Sequence, residues 1–203
     1  MTFELIKKVP IVQEQGVSWF YDTGCPHAEI GLCAGVQNFH GIPGLRMRGI
    51  PALKRFTKFD YVNREIITSD EPILLEGAES VPLEVRSTGW LVQMTVGGVQ
   101  GMRYIDTGSA FSYVHNLGKG HPFVETVEDC SFNGRPWTAP VYRVPCTFAG
   151  HPFEILCADA LDNHAATRPG EAVPEEGVIG YDFFRNFVVV VDQRDGVLQF
   201  RGV

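Results

Sequence analysis

Asp-Thr-Gly stands twice in the chain, as Asp22-Thr23-Gly24 and as Asp106-Thr107-Gly108. Trp19-Phe20-Tyr21 leads into the first copy and Tyr104-Ile105 into the second. Cys25 and Ser109 follow them, and a β-branched apolar residue, Ile30 or Val114, comes eight positions after each Asp. One such tripeptide says little, because Asp and Gly are common in turns. A repeat with matching flanks says more. Two carboxyls brought together can hydrolyse an amide with neither a metal nor a covalent nucleophile. Like charges so close do not both ionise easily, so the pair keeps one proton. The ionised member takes a proton from water while the acid member gives one to the carbonyl oxygen. Their titration belongs to the pair. Asp22 and Asp106 are therefore the candidate catalytic residues. Gly24 and Gly108 allow a tight turn and close backbone approach. Thr23 and Thr107 offer hydroxyls that can lock two loops together, and Ser109 continues the second loop. The bland alternative is an Asp that caps a turn and does nothing else.

Other residue types with chemistry are weaker candidates. Cys25, His27, Cys33 and His40 are of zinc-ligand type, but their spacing is not that of a known finger. No metal and no cofactor is expected. Cys25 lies close to His27 in sequence, yet catalytic partners are placed by the fold and not by adjacency. Ser109 with His115 or His121 lacks a Gly-x-Ser-x-Gly elbow. The five cysteines, an odd number without a CxxC pair, read as free thiols.

The elements that must position these residues read as strands. Leu91 to Val96 nearly alternates apolar and polar residues. Gly97-Gly98 is a two-residue hairpin signal, and Val99 to Ile105 returns towards Asp106. Phe123 to Val127, Val141 to Phe148, Phe153 to Cys157, Phe187 to Val191 and Val197 to Phe200 are further strands. Asn133-Gly134, Ala149-Gly150 and Asp195-Gly196 are their turns. Short helical turns are expected over Pro51 to Phe59 and Tyr181 to Asn186, and a surface loop over Asp162 to Glu176. With 22 glycines and 13 prolines the chain suits short strands and tight turns, an all-β fold, and not a helical bundle. Pro and Gly between Asp70 and Thr88 mark a boundary between a first part, residues 1–80, and a second, 81–203.

Composition sets limits on partners. With 203 residues, 44% hydrophobic and 20% charged, the chain has globular composition, which excludes wholesale disorder. The longest apolar run is Phe187 to Val191, far short of the roughly 18 residues that span a bilayer. No basic segment followed by an apolar stretch opens the chain, so the expected location is cytoplasmic, with no membrane partner. A net charge of −7 without a basic stripe argues against nucleic acid.

The repeat, together with Gly177-Val178-Ile179-Gly180-Tyr181-Asp182-Phe183-Phe184 and the strand Asn186 to Asp192, resembles the aspartic proteases of the pepsin and retropepsin group. The resemblance is best over residues 83–203. It implies an acid-protease fold, two pseudo-symmetric β lobes of unequal size with the active site between them. It further implies a dyad of Asp22 and Asp106, braced through Thr23 and Thr107, acting on a peptide or protein substrate. In the first part either Gly49 to Phe56 or Gly41-Ile42-Pro43-Gly44 matches the segment beginning at Gly177. Only 27 residues separate Asp22 from Gly49, against 71 between Asp106 and Gly177. A flap hairpin is therefore expected in the second lobe alone, near Val127 to Tyr142. Phe132, Asn133, Gly134 and Trp137 at its tip are candidate substrate contacts, with core packing as the alternative for the aromatics. Cys25 stands where the family usually has Ser, Thr or Ala. A thiol donates more weakly than a hydroxyl, so at equal burial the first carboxyl is expected to be the less acidic. The expected activity is that of a monomeric aspartic endopeptidase. The alternatives are a homodimer using Asp106 from two chains, and a peptide-binding module without turnover.

Overall fold

The structure is a computed structural model that describes residues 1–115, 120–130, 134, 136–159 and 176–203. Short strands follow one another along almost all of it. β1 (Glu4–Ile6), β2 (Val9–Glu14), β3 (Val17–Tyr21) and β4 (Glu29–Gly31) precede helix α1 (Ala34–His40) and β5 (Arg46–Arg48). These strands form a sheet in the order β1-β2-β3-β5-β4. A 3-10 turn at Ile50–Ala52 leads to β6 (Phe56–Asp60), β7 (Glu65–Ser69) and β8 (Glu79–Pro82).

The larger sheet is built from β9 (Glu84–Arg86), β10 (Gly89–Val96), β11 (Val99–Ile105), β12 (Ser112–Val114), β13 (Phe123–Cys130), β14 (Pro136–Phe148), β15 (His151–Asp159) and β16 (Val178–Ile179). Its order is β13-β14-β15-β12-β16-β11-β10-β9, and β14 also pairs with β10. Gly97 and Gly98 turn β10 into β11 with φ of 57° and 85°, the left-handed pair that a two-residue hairpin needs. Helix α2 (Tyr181–Asn186) follows, then β17 (Phe187–Asp192) and β18 (Val197–Gly202).

A third sheet, in the order β7-β6-β17-β18-β8, joins three strands from the middle of the chain to its last two. Central β17 explains the run Phe187-Val188-Val189-Val190-Val191. Val189 and Val191 enter the main core, while Val188 and Val190 pack beneath Leu75 on the other face. A strand covered on both sides reads as continuous apolar sequence. The main core holds Trp90, Phe148, Phe183, Phe184 and Phe200, all fully buried. A second cluster spans the two repeats, with Val9, Ile11, Phe20 and Met47 against Phe111, Tyr113, Val127 and Val141. No helix among the described residues is long and apolar enough to cross a membrane.

Two local expectations are corrected. The helical turn expected over Pro51 to Phe59 ends at Ala52, and Phe56–Asp60 is strand β6. There Thr57 faces Val191 on one side and Thr68 on the other, so pairing on both edges overrides a short period. Helix α1 was not expected. It ends at Gly41, whose φ of 70° lets its N–H return to the Asn38 and Gln37 carbonyls. Residues 162–175 of the expected surface loop lie outside the described residues.

Candidate active site

The two Asp-Thr-Gly segments sit in matching local frames. β3 delivers Asp22 and runs parallel to β5, with Tyr21 opposite Arg48. β11 delivers Asp106 and runs parallel to β16, with Ile105 opposite Ile179. The Asp22 N–H donates to the Arg48 carbonyl and the Asp106 N–H to the Ile179 carbonyl, each at 2.9 Å. The Ile50 N–H reaches the Cys25 carbonyl, as the Tyr181 N–H reaches that of Ser109. Met47-Arg48-Gly49 thus holds the place in the first repeat that Val178-Ile179-Gly180 holds in the second. This settles which first-part segment matches and shifts its register, since Gly49 corresponds to Gly180 and not to Gly177. Gly41 to Gly44 lies instead at the end of α1.

Both crossing glycines press on the loops that carry the carboxyls. A Cβ at Gly49 would fall on the carbonyl oxygens of Cys25 and His27, and one at Gly180 on those of Ser109 and Phe111. Backbone cannot step aside as a flexible side chain can. Gly180→Ala and Gly49→Ala are each expected to destabilise by about 1–3 kcal/mol or more, the scale of overpacking, read as a shift of the denaturation midpoint. An unchanged midpoint would show that the loops tolerate displacement.

Four buried hydrogen bonds tie the loops together. The Thr23 N–H donates to Thr107 Oγ1 at 3.1 Å, and the Thr107 N–H to Thr23 Oγ1 at 3.0 Å. Thr23 Oγ1 donates to the Ile105 carbonyl at 3.1 Å, and Thr107 Oγ1 to the Tyr21 carbonyl at 2.8 Å. Both threonines are 0% exposed. Above this brace the carboxyls meet. The Gly24 N–H lies 2.7 Å from Asp22 Oδ1 and 3.1 Å from Asp106 Oδ1, and the Gly108 N–H lies 2.8 Å from Asp106 Oδ1. A carboxyl oxygen of Asp106 lies 2.6 Å from where a Gly24 Cβ would stand.

Burial pushes both acids up from the usual carboxylate range. Asp22 is held well above it, first by burial, then by the charge of Asp106 and a hydrogen bond with it, against the Gly24 and Cys25 N–H groups. Asp106 is raised by burial, opposed by its bond with Asp22 and by the Gly108 and Gly24 N–H groups. Full ionisation of both carboxyls is therefore disfavoured, and the pair titrates as a unit. The Cys25 thiol, expected to act on the first carboxyl as a weak donor, is engaged elsewhere. Cys25 Sγ points to the His27 carbonyl at 3.6 Å, as Ser109 Oγ points to the Phe111 carbonyl at 2.6 Å. Both side chains brace their own loops.

This geometry also bears on the weaker candidates. Burial pushes the Cys25 thiol up to about 11, which disfavours a thiolate nucleophile. The Ser109 hydroxyl is spent on a carbonyl. His40 lies against Phe20 and Phe39, with its pKa lowered to about 4 chiefly by burial. Among the described residues no three His, Cys, Asp or Glu side chains converge on a point where a metal could sit.

Asp22 lines a cleft of about 550 Å³. Phe20, Val36, Met47, Gly108, Ala110 and Phe111 line it, with consecutive residues of β13, Glu125 to Cys130, along one wall. Among the described residues β13 ends its sheet, so one edge of this strand has no described neighbour in the sheet. The hairpin of β13 and β14 belongs to the second repeat, and α1 occupies the corresponding stretch of the first. At its end Gly134 packs on the start of α1, where a Cβ on Gly35 would lie 2.6 Å from the Gly134 carbonyl oxygen. Phe132 and Asn133 lie outside the described residues. Trp137 does not line the cleft and packs edge-on against Tyr113 at 5.6 Å. Sequence reasoning missed Lys7, Lys8, Phe39 and Phe111 as cleft residues. Phe111 had a signal, its place three residues beyond Gly108. The others are brought in by tertiary packing.

No protein-family model and no curated protein matches the chain. Among solved structures, an aspartic proteinase from Irpex lacteus aligns with a TM-score of 0.40 and 12% identity, over 73% of this chain. The chain spans 56% of that protein. A likeness of this size assigns no residue a role.

Proposed function

We propose that the protein is an aspartic endopeptidase whose dyad is Asp22 with Asp106. One observation carries the reading: two carboxyls from separate sequence repeats share the Gly24 N–H above a buried threonine brace, and Asp22 with Gly108 of the second repeat lines a cleft. The fold this reading implies is the acid-protease arrangement of two unequal lobes, divided near residue 80. Its support is the matching frames of the two Asp-Thr-Gly segments.

The chemistry needs one proton on the pair, held by Asp22 with Asp106 ionised. A water between the carboxyls gives a proton to ionised Asp106 as its oxygen bonds to the peptide carbon. Protonated Asp22 gives its proton to the carbonyl oxygen, forming a neutral tetrahedral diol. Asp106 then returns its proton to the nitrogen as the C–N bond breaks, and Asp22 recovers one from a diol hydroxyl as the acid product forms. A half-buried pair that favours one shared proton keeps acid and base in the same site. The substrate is an extended peptide bonding to the unpaired edge of β13 as an added strand. The β13–β14 hairpin, resting on α1 through Gly134 and Gly35, serves as the flap.

The test is digestion of a diverse peptide mixture from about pH 3.5 to 7.5, read by mass spectrometry, with wild type, Asp22→Asn and Asp106→Asn side by side. Loss of cleavage in both variants supports the dyad. Loss in Asp106→Asn alone points to a homodimer of the second lobe. No cleavage by wild type leaves a peptide-binding role.

A further inference from the structure

A turn of two lysines forms part of the cleft wall. Lys7 and Lys8 join β1 to β2 in a two-residue hairpin closed by Ile6 opposite Val9. Both have positive φ, 50° and 69°. Asn-Gly or Gly-Gly fills such turns at low cost, whereas side-chain-bearing residues other than Asn and Asp seldom enter this region. Strain of this kind clusters where a structure must present particular side chains. Lys8 Nζ lies 3.9 Å from the ring centroid of Phe111, in the loop that follows Asp106, and Lys7 Nζ lies 3.4 Å from that of Phe39 on α1. All four residues line the same cleft as Asp22.

Lys8 is half-buried, yet none of the ion pairs among the described residues includes it. Burial holds its pKa below the ordinary lysine value, opposed by the more distant charges of Asp182, Glu125 and Asp129. An ammonium stripped of part of its water, without a bonded carboxylate, gains most from a ligand that brings one. The acidic residues of the facing wall do not fill that role. Asp129 is bonded to the Tyr113 hydroxyl at 2.8 Å and to the Cys130 N–H at 2.7 Å. Glu125 and Glu128 are exposed along β13, where they repel a second carboxylate and confine the acid-binding point to the lysine side.

Building on the reading of this cleft as a peptidase site, we propose that Lys8 is a specificity-determining residue, and that the cleft takes extended peptides carrying an Asp or Glu side chain within a residue or two of the scissile bond. The carboxylate bonds Lys8 Nζ above the Phe111 ring.

The test uses matched synthetic peptides that differ only by Glu, Gln or Lys at one position, each in a cleavable form and in a form whose scissile amide is reduced to CH2–NH. Cleavage is followed by mass spectrometry and binding of the uncleavable forms by titration calorimetry. Wild type is expected to prefer Glu over Gln by about tenfold or more, the scale of one charge-assisted hydrogen bond. In Lys8→Gln the ratio should fall towards one, and in Lys8→Glu the preference should turn to Lys-bearing peptides. Cleavage without preference, or a preference that survives Lys8→Gln, overturns the subsite and leaves the peptidase intact. Lys8-dependent binding of Glu peptides without turnover upholds the subsite and overturns the peptidase. Neither binding nor cleavage of any peptide overturns both.

Discussion

Asp22→Asn and Asp106→Asn are each expected to lower peptide hydrolysis by about 10²–10⁴-fold, the usual share of general acid–base catalysis, and to stabilise the fold at neutral pH. The two effects share a cause. Burial raises both carboxyls, and the charge of Asp106 raises Asp22 further. A group whose folded pKa lies above its unfolded value gives stability that is complete below the unfolded pKa, near 3.9 for Asp, and is lost as pH rises through the folded one. At neutral pH the dyad therefore works against folding. An amide carries no charge, and its Oδ1 still accepts from the Gly24 N–H. The variants should melt above wild type at pH 7, and the gap should close below about pH 4. Wild-type activity should be bell-shaped in pH. It is lost at high pH as the pair gives up its shared proton and at low pH as it takes a second. Activity that survives in Asp22→Asn, or a variant melting below wild type at pH 7, contradicts the arrangement.

Much of this site was legible because its chemistry is local. Asp-Thr-Gly is a turn with its reactive group built in, and the apolar residues before each copy read as the strands that deliver it. Gly177 to Phe184 was legible for a related reason, since two apolar residues and Gly180 must cross close beneath Ser109 and Phe111. In the first repeat the same crossing is Met47-Arg48-Gly49. There Arg48 replaces an apolar residue and turns outward to Glu14, Glu29 and the Tyr21 hydroxyl. The pattern was hidden by a charge that the fold satisfies at its surface. Helix α1 was hidden by its length, as seven residues hold barely two hydrophobic periods. The lysine turn left no trace at all. Its place in the cleft depends on β1 and β2 packing against α1 and Phe111, contacts distant in sequence, and its residues are the wrong type for the turn they make. The third sheet was equally silent, because pairing between β6 and β17 links strands about 130 residues apart.

Thr107→Val and Thr23→Val test whether the brace, and not only the carboxyls, makes the site. Valine keeps the shape of threonine and removes the hydroxyl. Thr107→Val leaves the Thr23 N–H and the Tyr21 carbonyl without their bonds to Oγ1, and Thr23→Val does the same to the Thr107 N–H and the Ile105 carbonyl. An orphaned buried N–H alone costs about 1–3 kcal/mol, which for a chain of this size lowers Tm by about 2–4 °C per kcal/mol. The four bonds fall into two separate pairs, yet they hold the same two loops. Once one pair is gone the loops can part and admit water to the other, so the double variant should lose less than the two single losses combined. The catalytic consequence is separable. The Gly24 N–H reaches both carboxyls only while the loops stay in register, whereas Lys8 and β13 are placed by other contacts. Hydrolysis should therefore fall through kcat with KM nearly constant, and the raised pKa values of the pair should move apart less as its members separate. Thr107→Ser, which restores the hydroxyl without the methyl group, should recover most of kcat. A kcat unchanged in Thr107→Val, or a loss that serine does not rescue, would show that the carboxyls are held by something other than this cross-bonding.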